Sequence, residues 1–99
     1  MLHFDKSLQN GVLCYTLTGD LDTLTAPDLE RELAVSIGEA RSLVFDCAKL
    51  AYISSAGLRV LLGAQKTMNR QGSMKLLHVG DNIMDIFEVT GFTDIMTIE

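Results

Sequence analysis

Two serines stand side by side in "YISSAGLRVLL", where an apolar strand-like run gives way to an apolar helix-like one: Ser54 and Ser55. Their place limits the chemistry open to them. The first turn of a helix has N–H groups with no intrahelical partner and carries the positive end of the helix dipole. A serine oxygen there can accept one of those N–H groups as a cap. A phosphate on such a serine would meet the same groups, with Arg59 one turn on. Gly57 would let another backbone come close, as a kinase active site must. A cap needs one hydroxyl and the chain supplies two, so capping and phosphorylation both stay open on spacing alone.

Other groups with chemical potential are fewer. Asp20 and Asp22 follow one strand end and Asp46 is expected to close another. Carboxylates so placed can hold magnesium or accept a phosphoryl group, and they equally serve as turn and capping residues. The chain lacks an acidic pair after its first strand, which counts against phosphotransfer through Asp46. Arg59, Lys66 and Arg70 share one stripe of a helix, either a solvated face or a docking surface, with Gly63 and Ala64 leaving part of it flat. His3 and His78 have no neighbouring ligand spacing for zinc. No phosphate-cradling GxxxxGK[ST], no GxGxxG and no Ser-His-Asp set is present, so no catalytic site, metal or cofactor is expected. Met68, Met84 and Met96 suit packing.

The elements that position these groups follow from periodicity. Asn10-Gly11 predicts a type I′ hairpin between a strand around Leu2–Leu8 and a second strand, "VLCYTLTG", whose two apolar faces suit an interior position. "TLTAPDLERELAVSIG" predicts a helix, with Thr25 as N-cap, Pro27 and Asp28 in the first turn, and Gly38 at the end. Leu29, Leu33 and Ile37 form its inner face. "SLVFDC" is a short buried strand. From Ser55 to Gln71 the helical period returns, with Leu58, Leu61, Leu62, Gln65 and Met68 inward, and Gly72 stops it. "MKLLHV" is a strand, Asp81 is expected to cap "NIMDIFEVT", Gly91 closes that helix, and "DIMTI" is a last strand. The order β-β-α-β-α-β-α-β predicts an α/β fold: a small mixed sheet opened by a hairpin, with about three helices on it.

Composition bounds the rest. Ninety-nine residues suit a single domain, read here as 1–99. Hydrophobic residues at 47% and charged residues at 21% describe a folded chain. The net charge of −5 excludes a nucleic-acid binder that works by a basic surface. Residues 1–50 carry four basic and eight acidic side chains and residues 51–99 four and five, so the second half better suits an anionic partner. No stretch has the length to span a bilayer, and the polar N-terminus does not read as a signal peptide. A cytoplasmic location is expected, with Cys14 and Cys47 as reduced thiols.

"DCAKLAYISSAGLRVLL" and, upstream, "TGDLDTLTAPDLERELA" resemble the STAS domains of bacterial anti-sigma factor antagonists, and the likeness runs from about Phe4 to Ile95. The resemblance implies a non-enzymatic partner switch. The serine two residues before the glycine, Ser55, would be phosphorylated by an anti-sigma factor that is itself a serine kinase. The unphosphorylated form would bind that kinase and free the sigma factor, and a PP2C-type phosphatase would reset the phosphorylated form. Asp22 and Asp46 would lie near the turn, and Asp22, Ser54, Ser55, Gly57, Arg59 and Lys66 would face the partner. The commonest family motif reads D-S-S-G. Here Ser54 replaces the aspartate and is a rival acceptor, and Ala56 replaces the second serine. The alternative is a STAS scaffold that works without phosphorylation, as an accessory subunit of a transport or signalling assembly.

Overall fold

A computed structural model describes residues 1–99. The chain forms β1 (Leu2–Gln9), β2 (Val12–Leu21), α1 (Ala26–Ser36), β3 (Ser42–Ile53), α2 (Ser55–Gln71), β4 (Ser73–Leu77), α3 (Asp81–Thr90) and β5 (Thr97–Ile98), with 3-10 turns at Ile37–Glu39 and Phe92–Asp94. This is the expected element order. Asn10 and Gly11 both adopt positive φ, 55° and 80°, as a type I′ turn requires, and set β1 antiparallel to β2.

The sheet order is β1-β2-β3-β4-β5, and every pairing after the hairpin is parallel. Each crossover therefore steps in the same direction. Because such crossovers are right-handed, all three helices fall on one face of the sheet. That face carries Leu13, Tyr15 and Leu17 of β2, matched by Leu43, Phe45 and Cys47 of β3 and by Met74 and Leu76 of β4. Leu29 and Leu33 of α1, Leu58, Leu61 and Met68 of α2, and Ile83 and Phe87 of α3 close over them in one continuous core. The Tyr15 hydroxyl donates to Glu32 of α1 at 2.8 Å, and Lys6 pairs with the same carboxylate at 3.1 Å. Burial holds the Tyr15 hydroxyl protonated well above its ordinary range. The opposite face, with Cys14, Thr16, Asp46, Lys75 and Leu77, has no helix over it.

Four expectations are corrected. β3 is not a short strand ending at Asp46 but runs on to Ile53, because two register shifts each give it one residue more than β2. Thr25 precedes α1 but makes no side-chain cap; its hydroxyl donates back to Asp20 O, and the loop N–H groups go to Asp22 instead. Asp81 is the first residue of α3, after Gly80, and adds a favourable charge without capping. Ala64 faces inward rather than flattening the outer stripe of α2, because Val60 and Ala64 lie on the side that meets α1. Gly91, at φ 80°, ends α3 in the left-handed conformation as expected. Both cysteines are free thiols, Cys14 on the uncovered face and Cys47 in the core, where burial pushes its thiol up to about 12.

Candidate functional site

The two β3 bulges bring Ile53 level with Leu21, the last residue of β2. Ser54 N donates to Leu21 O at 2.9 Å, so the turn into α2 is pinned to the end of the neighbouring strand. Ser54 is extended, at φ −100° and ψ 176°, and its hydroxyl accepts from Gly57 N at 3.4 Å. It is the N-cap. Ser55 is the first residue of the helix and is exposed, with its hydroxyl outside the cap. The two serines therefore do different work.

Gly57 is buried, and its close backbone neighbour belongs to this chain. A Cβ there would lie 2.7 Å from Leu21 O and 2.8 Å from side-chain atoms of Leu21 and Ile53. This corrects its assignment as an opening for a partner: the missing side chain lets α2 start against β2.

Asp22 lies directly after Leu21 and organises the loop that flanks the serines. Its carboxylate accepts from the N–H groups of Leu24 and Thr25 at 3.0 and 3.1 Å and from the Thr25 hydroxyl at 3.1 Å. The Thr25 backbone bond is the main reason its pKa is lowered. Beside it Leu24 points outward, 86% exposed.

Arg59 is four residues beyond Ser55, on the same side of α2 and exposed. It borders a shallow groove of about 190 Å³ between α1 and α2, with Glu30, Leu33 and Ile37 opposite it. A second hollow of about 140 Å³ extends this groove past Arg59 to Ala56, Thr23 and Pro27. Lys66 and Arg70 continue the exposed stripe, with Lys66 roughly 16 Å along the helix from Ser55 at 1.5 Å per residue. Ser55, the Asp22 loop, Leu24 and Arg59 thus form one surface at the end of the sheet. The sequence offered no sign of Leu24, because an isolated leucine in a turn has no period to read.

Asp46 is not part of this surface. It pairs in register with Thr16, five β2 residues before Leu21, so at 3.3 Å per residue it lies about 16 Å along the sheet. It sits on the uncovered face, where His78 Nδ1 meets its carboxylate at 3.0 Å and Ala48 N donates at 3.1 Å. The His78 bond is the main reason its pKa is lowered. The family resemblance implied proximity to the turn; the added length of β3 removes it.

No helix is long and apolar enough to cross a membrane. The STAS domain pattern matches residues 3–99. A Bordetella bronchiseptica protein, BtrV, assigned provisionally as an anti-sigma factor antagonist, is 36% identical over 91 residues, covering 90% of this chain and 78% of that protein. The anti-sigma-B factor antagonist of Listeria monocytogenes is 34% identical over 85 residues, 84% of this chain and 75% of its own. The crystal structure of an anti-sigma factor antagonist from Mycobacterium paratuberculosis superposes with a TM-score of 0.88 over 99% of this chain and 85% of that one. At 21% identity, that likeness is one of fold.

Proposed function

Because the chain belongs to the STAS-domain family, we propose that it is an anti-sigma factor antagonist that works in the cytoplasm by partner switching, with Ser55 as the phosphoacceptor. The observation that carries this reading is the division of labour at the turn: Ser54 supplies the cap, leaving the exposed Ser55 hydroxyl free to react. In the proposed cycle the unphosphorylated protein binds an anti-sigma factor serine kinase through the surface around Ser55, including Ser54, Arg59 and, further along α2, Lys66. Asp22 holds the flanking loop. The sigma factor is thereby freed. The kinase transfers the γ-phosphoryl group of ATP to Ser55 Oγ: the new O–P bond forms, the bond to the β-phosphate breaks, ADP leaves, and the hydroxyl proton passes to the kinase. A PP2C-type phosphatase returns the serine by hydrolysis.

The physical effect of the phosphate differs between the free protein and the complex. It adds about −1.5 to −2 charge and three acceptor oxygens. On the isolated domain it stands at the positive end of α2, one turn from Arg59, and is tolerated. Within a closed interface the same charge has to be desolvated, and the complex weakens. The protein is thus a substrate of enzymes and a regulator, not a catalyst.

The test is phosphosite mapping on the protein recovered from its own cells in growth and in stress. Phosphate on Ser55 in one condition and not the other is the expected result. Phosphate on Ser54 alone would move the acceptor and overturn the Ser55 assignment. No phosphate in any condition would overturn the switch and favour a phosphorylation-independent scaffold in a transport or signalling assembly.

A further inference from the structure

The ionic side chains of α2 and α3 are segregated by helix. α2 carries Arg59, Lys66 and Arg70 and no acidic residue; α3 carries Asp81, Asp85 and Glu88 and no basic one. All six are exposed, and none takes part in the chain's own ion pairs. Asp81 and Asp85 repel at four-residue spacing, as do Lys66 and Arg70. Glu88 stands in the last turn of α3, the wrong end of the dipole for a carboxylate. Next to it Val89 is 87% exposed. Arg59 has Glu30 across the α1–α2 groove, but no charge of α3 is met within the chain.

The two stripes also match in spacing. Arg59 to Lys66 and Asp81 to Glu88 are both seven residues, about 10 Å on a helix. Asn82 Nδ2 donates to Ala51 O at 3.0 Å, which sets the start of α3 two residues back along the sheet from Ile53. Both α2 and α3 thus begin near the C-terminal end of β3. Both helices run back from the same end of the parallel strands.

We propose that the α2–α3 face docks a second copy of this chain. A two-fold axis between the helices and parallel to them lays α2 of each copy on α3 of the other. It pairs Arg59 with Asp81 of the second copy and Lys66 with Glu88 of the second copy, and repeats both pairs by symmetry. Exposed ion pairs are individually weak, so the dimer is a weak one, steered by charge and dispersed by salt. Its face overlaps the docking stripe of the function proposed above, on which this consequence rests: the dimer and the kinase complex exclude each other.

Sedimentation equilibrium of the full chain tests dimer formation without any kinase, so failure here leaves the partner-switch reading standing. At low salt, about 20 mM, the mass should rise with concentration from monomer to dimer, and the dimer should disperse at about 500 mM, where the Debye length is only a few ångströms. Lys66→Glu and Glu88→Lys should each weaken association about tenfold, since each breaks two symmetry-related pairs. The combined Lys66→Glu, Glu88→Lys protein should recover it, a restoration that misfolding does not produce. A monomer at every concentration in low salt, or a dimer indifferent to salt and to the reversals, overturns the proposal.

Discussion

Ser54 and Ser55 differ by one position and by their whole chemical environment. Ser54→Ala removes the acceptor for Gly57 N; with that bond long at 3.4 Å, the expected loss is at the low end for caps, about 0.5–1 kcal/mol in urea unfolding. Ser55→Ala changes an exposed hydroxyl at the helix start, and unfolding should shift by less than about 0.5 kcal/mol, while the proposed switch requires that this variant take up no phosphate. A Ser55→Ala protein that loses more stability than Ser54→Ala would reverse the two roles. The carboxylates make a separate prediction. Asp46 and Glu32 have folded pKa values lowered from 3.8 and 4.5, by the His78 bond and the Ser36 bond respectively. A lowered folded value means that stability is fully present above the ordinary value and is lost as pH falls through the folded one. Urea midpoints should hold steady from neutrality to about pH 5 and decline below pH 4, and the decline should be shallower in Asp46→Asn. An unchanged slope in that variant would remove Asp46 from the acid response.

At the scale of the element, the junction of β3 with α2 decides where the serines stand. The β3 bulges, the Ser54–Leu21 backbone bond and Gly57 against Leu21 act together. Gly57→Ala puts a methyl into space already filled by a backbone carbonyl, which side-chain rotation cannot clear. The expected destabilisation is about 1–3 kcal/mol, with α2 displaced from β2. Amide exchange at Ser54 should accelerate with it, and an unaltered Ser54 amide would show that the close contact does not hold the turn. Hairpin and helix lengths were readable because Asn10-Gly11 and the α2 stripe obey local rules of φ and period. The length of β3 was not, because "AKLAYI" alternates only after its extra residues are allowed for, and bulges are chosen by the partner strand.

Across the whole molecule, one core under one layer of helices holds the sheet. Phe87 is fully buried in α3 and stacks on Phe92 at 6.1 Å, tying the C-terminal segment to that core. Phe87→Ala should lower stability by about 3–5 kcal/mol, a large share of the roughly 5–15 kcal/mol typical of a domain. Thermal unfolding would show it as a large drop in Tm; a loss below about 1 kcal/mol would mean that α3 is docked independently of the core.

Local chemistry determined most of what could be read from the chain. Turn residues, helical stripes and apolar runs act over a few positions, so the element order, the mixed sheet and the serine pair at a helix start were all legible. The tertiary structure decided what depends on partners distant in sequence. It pinned Ser54 N to Leu21 O and set Asp46 on the uncovered face with His78. Gly57 was filled against by Leu21, thirty-six positions earlier. It also placed the acidic and the basic helix on one face of the sheet. A carboxylate or a glycine carries the same local signal whichever segment it meets, and only the packing of the sheet selects the segment.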